Sequence, residues 1–126
     1  MSESERFSAG LERRRRAVGE EYVERAYASA DEFTREFQDF VTTSCWGDVW
    51  LREGLDDRAR SLITLSVLAC SNKWTEFATH VQIALRNGCT SEELKQAFLH
   101  LAVYAGVPTG MEAFRHAQPV VAAHRE

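Results

Sequence analysis

The chain has 126 residues, 44% hydrophobic and 27% charged, with a formal net charge of -4. That is one domain's worth of sequence, able to bury a core without disulfides or a structural metal, too apolar for intrinsic disorder and too acidic for nucleic acid to be the expected partner. Cys45, Cys70 and Cys89 form no CxxC, which suits a reducing, cytoplasmic compartment; the first residues are polar, not a signal peptide, and no apolar run approaches the roughly 20 residues of a membrane span.

The expected architecture is all-α, a single domain over 1–126 built as a bundle of about six helices, with frayed tails at 1–5 and 122–126. Phe7, Leu11 and Val18 fall along one side of a first helix over 6–17, which Gly19 ends. Arg13 to Arg16 are four consecutive cations. Such a run reads as a solvated helix face or a subunit patch sooner than as an anion site. A second helix covers 20–30. Asp31 is the N-cap of a third, with Phe33, Phe37, Phe40 and Val41 at helical spacing and expected in the core. In the following Cys45-Trp46-Gly47-Asp48-Val49-Trp50, Gly47 permits a break or a close approach of two backbones. Trp46 and Trp50 are large for a surface turn, and wall either a pocket or a subunit contact.

After a turn at 52–55, Asp56 caps a helix over 57–71. Its stretch from Leu62 to Cys70 is apolar nearly all round, as a central buried helix would be. The next helix covers 74–87 and stops at Gly88. Thr90 with Glu93 forms a capping box and opens a helix carrying Leu94, Ala97, Phe98, Leu101 and Ala102 as far as Gly106. Pro108 can be the first residue of a last helix, which Pro119 shortens or kinks.

The chemistry-bearing residues cluster late in the chain. Glu76 and His80 are four apart, so on a helix they leave one face and can hydrogen-bond. A carboxylate paired with an imidazole is an acid/base device, although on these residues alone a structural pair holding two helices together is the favoured reading. His100 and Tyr104 repeat the spacing, and these groups are expected to line one pocket at the centre of the domain. Glu76, His80, His100 and His116 could ligate a metal, but the HExxH order is missing. Glycine-rich phosphate loops and Gly-x-Ser-x-Gly elbows are absent as well. Acid/base chemistry without a cofactor or metal is what remains.

The set Arg14-Arg15, Gly19, Phe33, Phe37-Gln38, Trp46-Gly47-Asp48-Val49-Trp50, Gly54-Leu55, Arg60-Ser61-Leu62, Glu76-x-x-x-His80, Asn87-Gly88-Cys89-Thr90 and Tyr104-Ala105-Gly106-Val107-Pro108 resembles the carboxymuconolactone decarboxylase family. The resemblance runs from Arg6 to Val121 and is greatest to members acting on 4-carboxymuconolactone in aromatic-acid catabolism. It implies an alkylhydroperoxidase D-like helical fold and a ring-like homo-oligomer, a trimer or hexamer. The peroxidase branch has a CxxC where this chain has Lys73 and Glu76, so thiol peroxidase chemistry is disfavoured. Cys70 and Cys89 are then packed, inert thiols.

The implied reaction is cofactor-independent loss of carbon dioxide from a carboxylated lactone, giving 3-oxoadipate enol-lactone. His80 would be proton donor or oxyanion partner, with Glu76 orienting it. Arg60 would clamp a carboxylate, Tyr104 and His100 would hydrogen-bond the lactone, and Trp46 would supply an apolar wall. Two positions depart from the family pattern. Met111 stands in Pro108-Thr109-Gly110-Met111 where Pro-Ala-Ala-Asn is common, and Ser44 stands where a larger ring is usual. Both leave room for a different lactone or keto acid, or for a non-catalytic oligomer that binds a small acid.

Overall fold

The computed structural model describes residues 1–124. It contains seven α-helices, α1 Glu3–Val18, α2 Glu20–Ala28, α3 Glu32–Phe40, α4 Asp57–Cys70, α5 Trp74–Arg86, α6 Ser91–Ala105 and α7 Val107–Ala123, and a π-helical segment Val41–Gly47 that continues α3. No strand occurs among the described residues, as the lack of alternating patterns predicts. The helices fall into two compact units, Met1–Leu55 and Asp56–Glu126.

Local chemistry sets the boundaries. Ser2, Asp31 and Thr90 each close a capping box, with Glu5, Thr34 and Glu93 respectively, and Asp56 accepts from the Ala59 amide. Ser2 therefore starts α1 at Glu3, where a loose tail over 1–5 is expected from sequence. The other expected tail, 122–126, is helical to Ala123, and its last two residues lie outside the described ones. Gly106, at φ +106°, lies between α6 and α7 in a conformation that side chains with a Cβ rarely adopt. Val107, not Pro108, is the first residue of α7, which runs through Pro119.

In the Met1–Leu55 unit, α1 lies against the π-segment at backbone contact. A Cβ on Gly10 would sit 2.1 Å from the Thr42 carbonyl oxygen, and one on Gly47 would sit 2.7 Å from that of Arg6. The close approach expected at Gly47 is what the structure uses. Arg6 grips Asp48 through Nε and Nη2 at 2.9 and 2.6 Å, a bidentate fork on a carboxylate.

Two expectations fail in this unit. Arg13 and Arg14 are not solvated but 3% and 6% exposed. Arg13 lies 5.6 and 6.0 Å from the ring centroids of Trp50 and Trp46, a cation over aromatic faces. Arg14 donates from Nη1 to Thr42 Oγ1 at 3.1 Å and from Nη2 to Gln38 Oε1 at 2.9 Å. Conversely, the aromatic stripe expected in the core is outside: Phe33 is 91% exposed, and Phe37 and Phe40 are also exposed. Helical periodicity identifies a shared face but not what that face meets.

In the Asp56–Glu126 unit, α4, α5, α6 and α7 pack around Leu65, Ala69, Phe77, Val81, Ala84, Leu94, Phe98, Ala113 and Ala117. Phe77 is fully buried, with Trp74 and Phe98 at ring-centroid distances of 5.1 and 5.5 Å. Helix α4 is not buried all round: Ser61, Leu65 and Ala69 face inward while Ile63 and Val67 are exposed. Cys89 is buried as expected, but Cys70 is exposed.

Candidate active site

Helix α5 carries the acid/base residues of the Asp56–Glu126 unit. The chain turns between α4 and α5 through Asn72 at φ +57°, a region asparagine tolerates. Glu76 then falls in the first turn of α5, where a carboxylate is favoured by the helix dipole. His80 follows one turn later and is half-buried, while Glu76 is exposed. Burial pushes the His80 imidazole below its ordinary pKa of 6.5, and the negative charge of Glu76 pulls the other way without cancelling it. The resting ring is therefore neutral at pH 7. Among the described residues no hydrogen bond joins the two side chains, so Glu76 acts on His80 through its field.

The other expected site residues are dispersed. Arg60 is half-buried in the first turn of α4. His100 and Tyr104 lie on α6 with ring centroids 4.9 Å apart. Both are on the outside, Tyr104 at 81% exposure, and Val103, Val107 and Met111 are exposed as well. Trp46 belongs to the Met1–Leu55 unit, where it is buried with its ring centroid 4.8 Å from that of Trp50. A cleft of about 560 Å3 between α6 and α7 is floored by Leu94, Phe98, Phe114 and Val121, with Lys95 and Gln118 also lining it. Met111, Phe114 and Arg115 line a shallower groove of about 350 Å3 over Ala102 and Gly110. Glu76 and His80 line neither.

A second Glu-x-x-x-His pair, on α7, escaped the sequence reading. His116 Nε2 is 3.1 Å from Glu112 Oε2, Arg115 also bonds Glu112, and the imidazole stacks on Trp74 at 5.1 Å and 9°. The spacing is the one that singled out Glu76 and His80.

Comparison with known proteins settles the kinship. The model of the carboxymuconolactone decarboxylase family matches residues 35–119. The chain belongs to the carboxymuconolactone decarboxylase family. It is 37% identical over 120 residues to the 4-carboxymuconolactone decarboxylase of Acinetobacter baylyi, covering 95% of this chain and 90% of that one. It is 43% identical over 107 residues to the nitrosuccinic acid decarboxylase of Metarhizium robertsii, covering 85% and 75%. A 4-carboxymuconolactone decarboxylase sequence of Pseudomonas putida matches over its whole length, at 35% identity across 48 residues. As a member of the carboxymuconolactone decarboxylase family the protein is a carboxy-lyase. The all-α fold of its described residues is the one expected of that family. No helix among the described residues is long and apolar enough to cross a membrane.

Proposed function

We propose that the protein decarboxylates a small polycarboxylic acid whose departing carboxylate sits on a carbon conjugated to an electron sink, with His80 handling the proton. The observation that carries this reading is His80 itself, a half-buried imidazole with a lowered pKa in the field of Glu76. The first substrate is 4-carboxymuconolactone, giving 3-oxoadipate enol-lactone. The second is a nitrosuccinic-type acid, favoured by the 43% identity to the fungal enzyme and by Met111, whose thioether replaces a common amide.

Both substrates place the same demand on the protein. The bond to the carboxyl carbon breaks and carbon dioxide leaves. The electron pair passes through the ring double bond into the lactone carbonyl as a dienolate, or into the nitro group as a nitronate. One proton then adds to carbon, so the reaction consumes one proton overall. The substrate is its own electron sink. The protein has to hold carboxylates, stabilise the developing oxyanion and supply that proton. An arriving polyanion raises the pKa of His80, so the neutral resting imidazole takes up a proton as substrate binds and donates it to carbon after carbon dioxide departs. Arg60 is the carboxylate clamp in this reading, and His100 and Tyr104 hydrogen-bond the substrate oxygens from α6.

Carbon dioxide release from 4-carboxymuconolactone and from nitrosuccinic acid tests the proposal, and turnover of neither overturns it. His80→Gln lowers kcat by roughly 100- to 10,000-fold, the range of a lost general acid. For the wild type, kcat/KM falls as pH rises, with a midpoint below 6.5 set by the free enzyme, while kcat persists to higher pH because bound substrate raises the same pKa. Glu76→Gln moves the kcat/KM midpoint lower still, since the carboxylate holds it up. A wild-type profile in His80→Gln would remove His80 from the chemistry.

A further inference from the structure

The Met1–Leu55 unit contains two arginines whose comparison exposes an unfilled role. Arg6 presents its Nε/Nη2 edge to both oxygens of Asp48. Arg14 is more deeply placed, at 6% exposure, yet among the described residues no carboxylate bonds it. Its Nη2 donates to the neutral amide oxygen of Gln38 and its Nη1 to the Thr42 hydroxyl. Its Nε is buried and has no hydrogen-bond partner. Burying a guanidinium against neutral oxygens is unfavourable unless an opposite charge arrives, and an orphaned donor on that cation compounds it.

A carboxylate reaches Arg14 through a relay of hydroxyls. Thr42 Oγ1 lies 2.9 Å from Tyr27 Oη, and Tyr27 donates to Asp39 Oδ1 at 3.0 Å. Arg14, Thr42, Tyr27 and Asp39 thus form one aligned chain of donors, which fixes the orientation of the guanidinium and uses Nη1. That leaves the Nε/Nη2 edge, the one Arg6 uses, with a single neutral acceptor. Gln38 is half-buried and Arg14 is buried, and the Gln38 amide oxygen on Nη2 holds the position of one oxygen of a carboxylate.

We propose that Arg14 is the binding residue for a small carboxylate in the Met1–Leu55 unit, with Gln38 as the displaceable stand-in. The incoming carboxylate takes Nη2 from the Gln38 oxygen and gives the buried Nε–H its missing acceptor, and the freed Gln38 amide donates to the second lone pair of the same oxygen. The ligand is a carboxylate in either case, whether it belongs to the substrate or to a separate acid. The binding itself does not depend on the decarboxylase reading.

Succinate is the probe. Titrated into the wild-type protein, it shifts the Arg14 Nε–H signal in 1H–15N spectra, assigned by its loss in Arg14→Lys, and it raises Tm. Arg14→Lys keeps the charge but loses the fork, so the succinate-induced rise in Tm disappears. Chloride at equal ionic strength produces neither response. In turnover, a KM raised at least tenfold in Arg14→Lys with kcat nearly unchanged assigns the site to the substrate. An unchanged KM with lost succinate binding assigns it to a separate acid. If Arg14→Lys does not fold, the wild-type titration decides, with Gln38→Leu identifying the signal through its changed resting position. An Nε–H signal that ignores succinate, or a variant that keeps the full Tm response, overturns the proposal. A wild type that binds succinate at Arg14 but decarboxylates neither acid would sink the proposed function and leave this inference standing.

Discussion

The Met1–Leu55 unit buries two guanidinium groups and holds them with neutral oxygens and aromatic faces, whereas the core of the Asp56–Glu126 unit, from Leu65 to Ala117, is apolar. The two follow different rules for what a substitution does. In the C-terminal unit stability comes from removing hydrocarbon from water and filling space, so the response to truncation scales with volume lost. In the N-terminal unit the backbones of α1 and the π-segment touch, and orientation-dependent donors fill the remaining gaps. Small geometric changes matter more there than hydrophobicity.

Fluorescence can separate the two units, because Trp46 and Trp50 lie in one and Trp74 in the other. In a Trp74→Phe background the tryptophan signal comes only from the Met1–Leu55 unit. The largest effect on the comparison is expected from Phe77→Ala, which empties the centre of the apolar core and destabilises the Asp56–Glu126 unit by about 4 kcal/mol. Chemical denaturation followed by far-ultraviolet circular dichroism, with the Met1–Leu55 unit tracked separately by Trp46 and Trp50 in the Trp74→Phe background, measures it, and a loss below about 1 kcal/mol would mean that the core collapses around the void. Gly10→Ala comes next. Its new methyl meets the Thr42 carbonyl, and overpacking of this kind reaches about 3 kcal/mol. It is read by Trp46 and Trp50, and an unchanged midpoint would show that α1 can slide. Thr42→Val keeps the shape but removes the hydroxyl between Arg14 and Tyr27, costing about 2 kcal/mol through unsatisfied partners. If Thr42→Val is neutral, the polar network orients the unit without stabilising it.

The smallest effect is a pH dependence in the C-terminal unit. His80 has a folded-state pKa below 6.5, so between that value and 6.5 the unfolded chain binds more protons than the folded one. Its contribution to stability is complete above 6.5 and is lost as pH falls through this window. Thermal unfolding across pH 5–8 in wild type and His80→Gln isolates it, and parallel curves would contradict the shift.

Much of the fold was legible because helix boundaries are written locally. Asp31, Asp56 and Thr90 sit three residues before the amides they cap, and a reader of the sequence sees donor and acceptor together. Burial was less legible. Arg14 looks like part of a solvated run until Gln38 and Thr42, 24 and 28 residues away, are brought to it. Phe33, Phe37 and Phe40 announce a shared face, yet the face is exposed. For the candidate site, the spacing of Glu76 and His80 implies one helix, and both lie on α5. It could not give the depth of His80, which sets its pKa, nor the outward position of Tyr104, since both depend on how α4 to α7 pack. The family resemblance was legible for a different reason, namely many short motifs in order along the chain.

The π-segment Val41–Gly47 imposes a constraint of another kind. Hydrogen bonds there skip five residues, as in those from the Asp48 amide to Thr43 and from the Trp50 amide to Cys45. Such a segment holds one residue more than the α-helical spacing it interrupts, and each residue advances a helix by about 100°. Deleting one residue between 41 and 47 would therefore return the stretch to α-helical spacing and move the residues beside the deletion off their present positions. Gly47 would swing away from the Arg6 carbonyl, and Thr42 away from Arg14 or Trp46 away from Arg13. This stretch counts residues more strictly than it reads them, so among relatives its length should drift less than its composition.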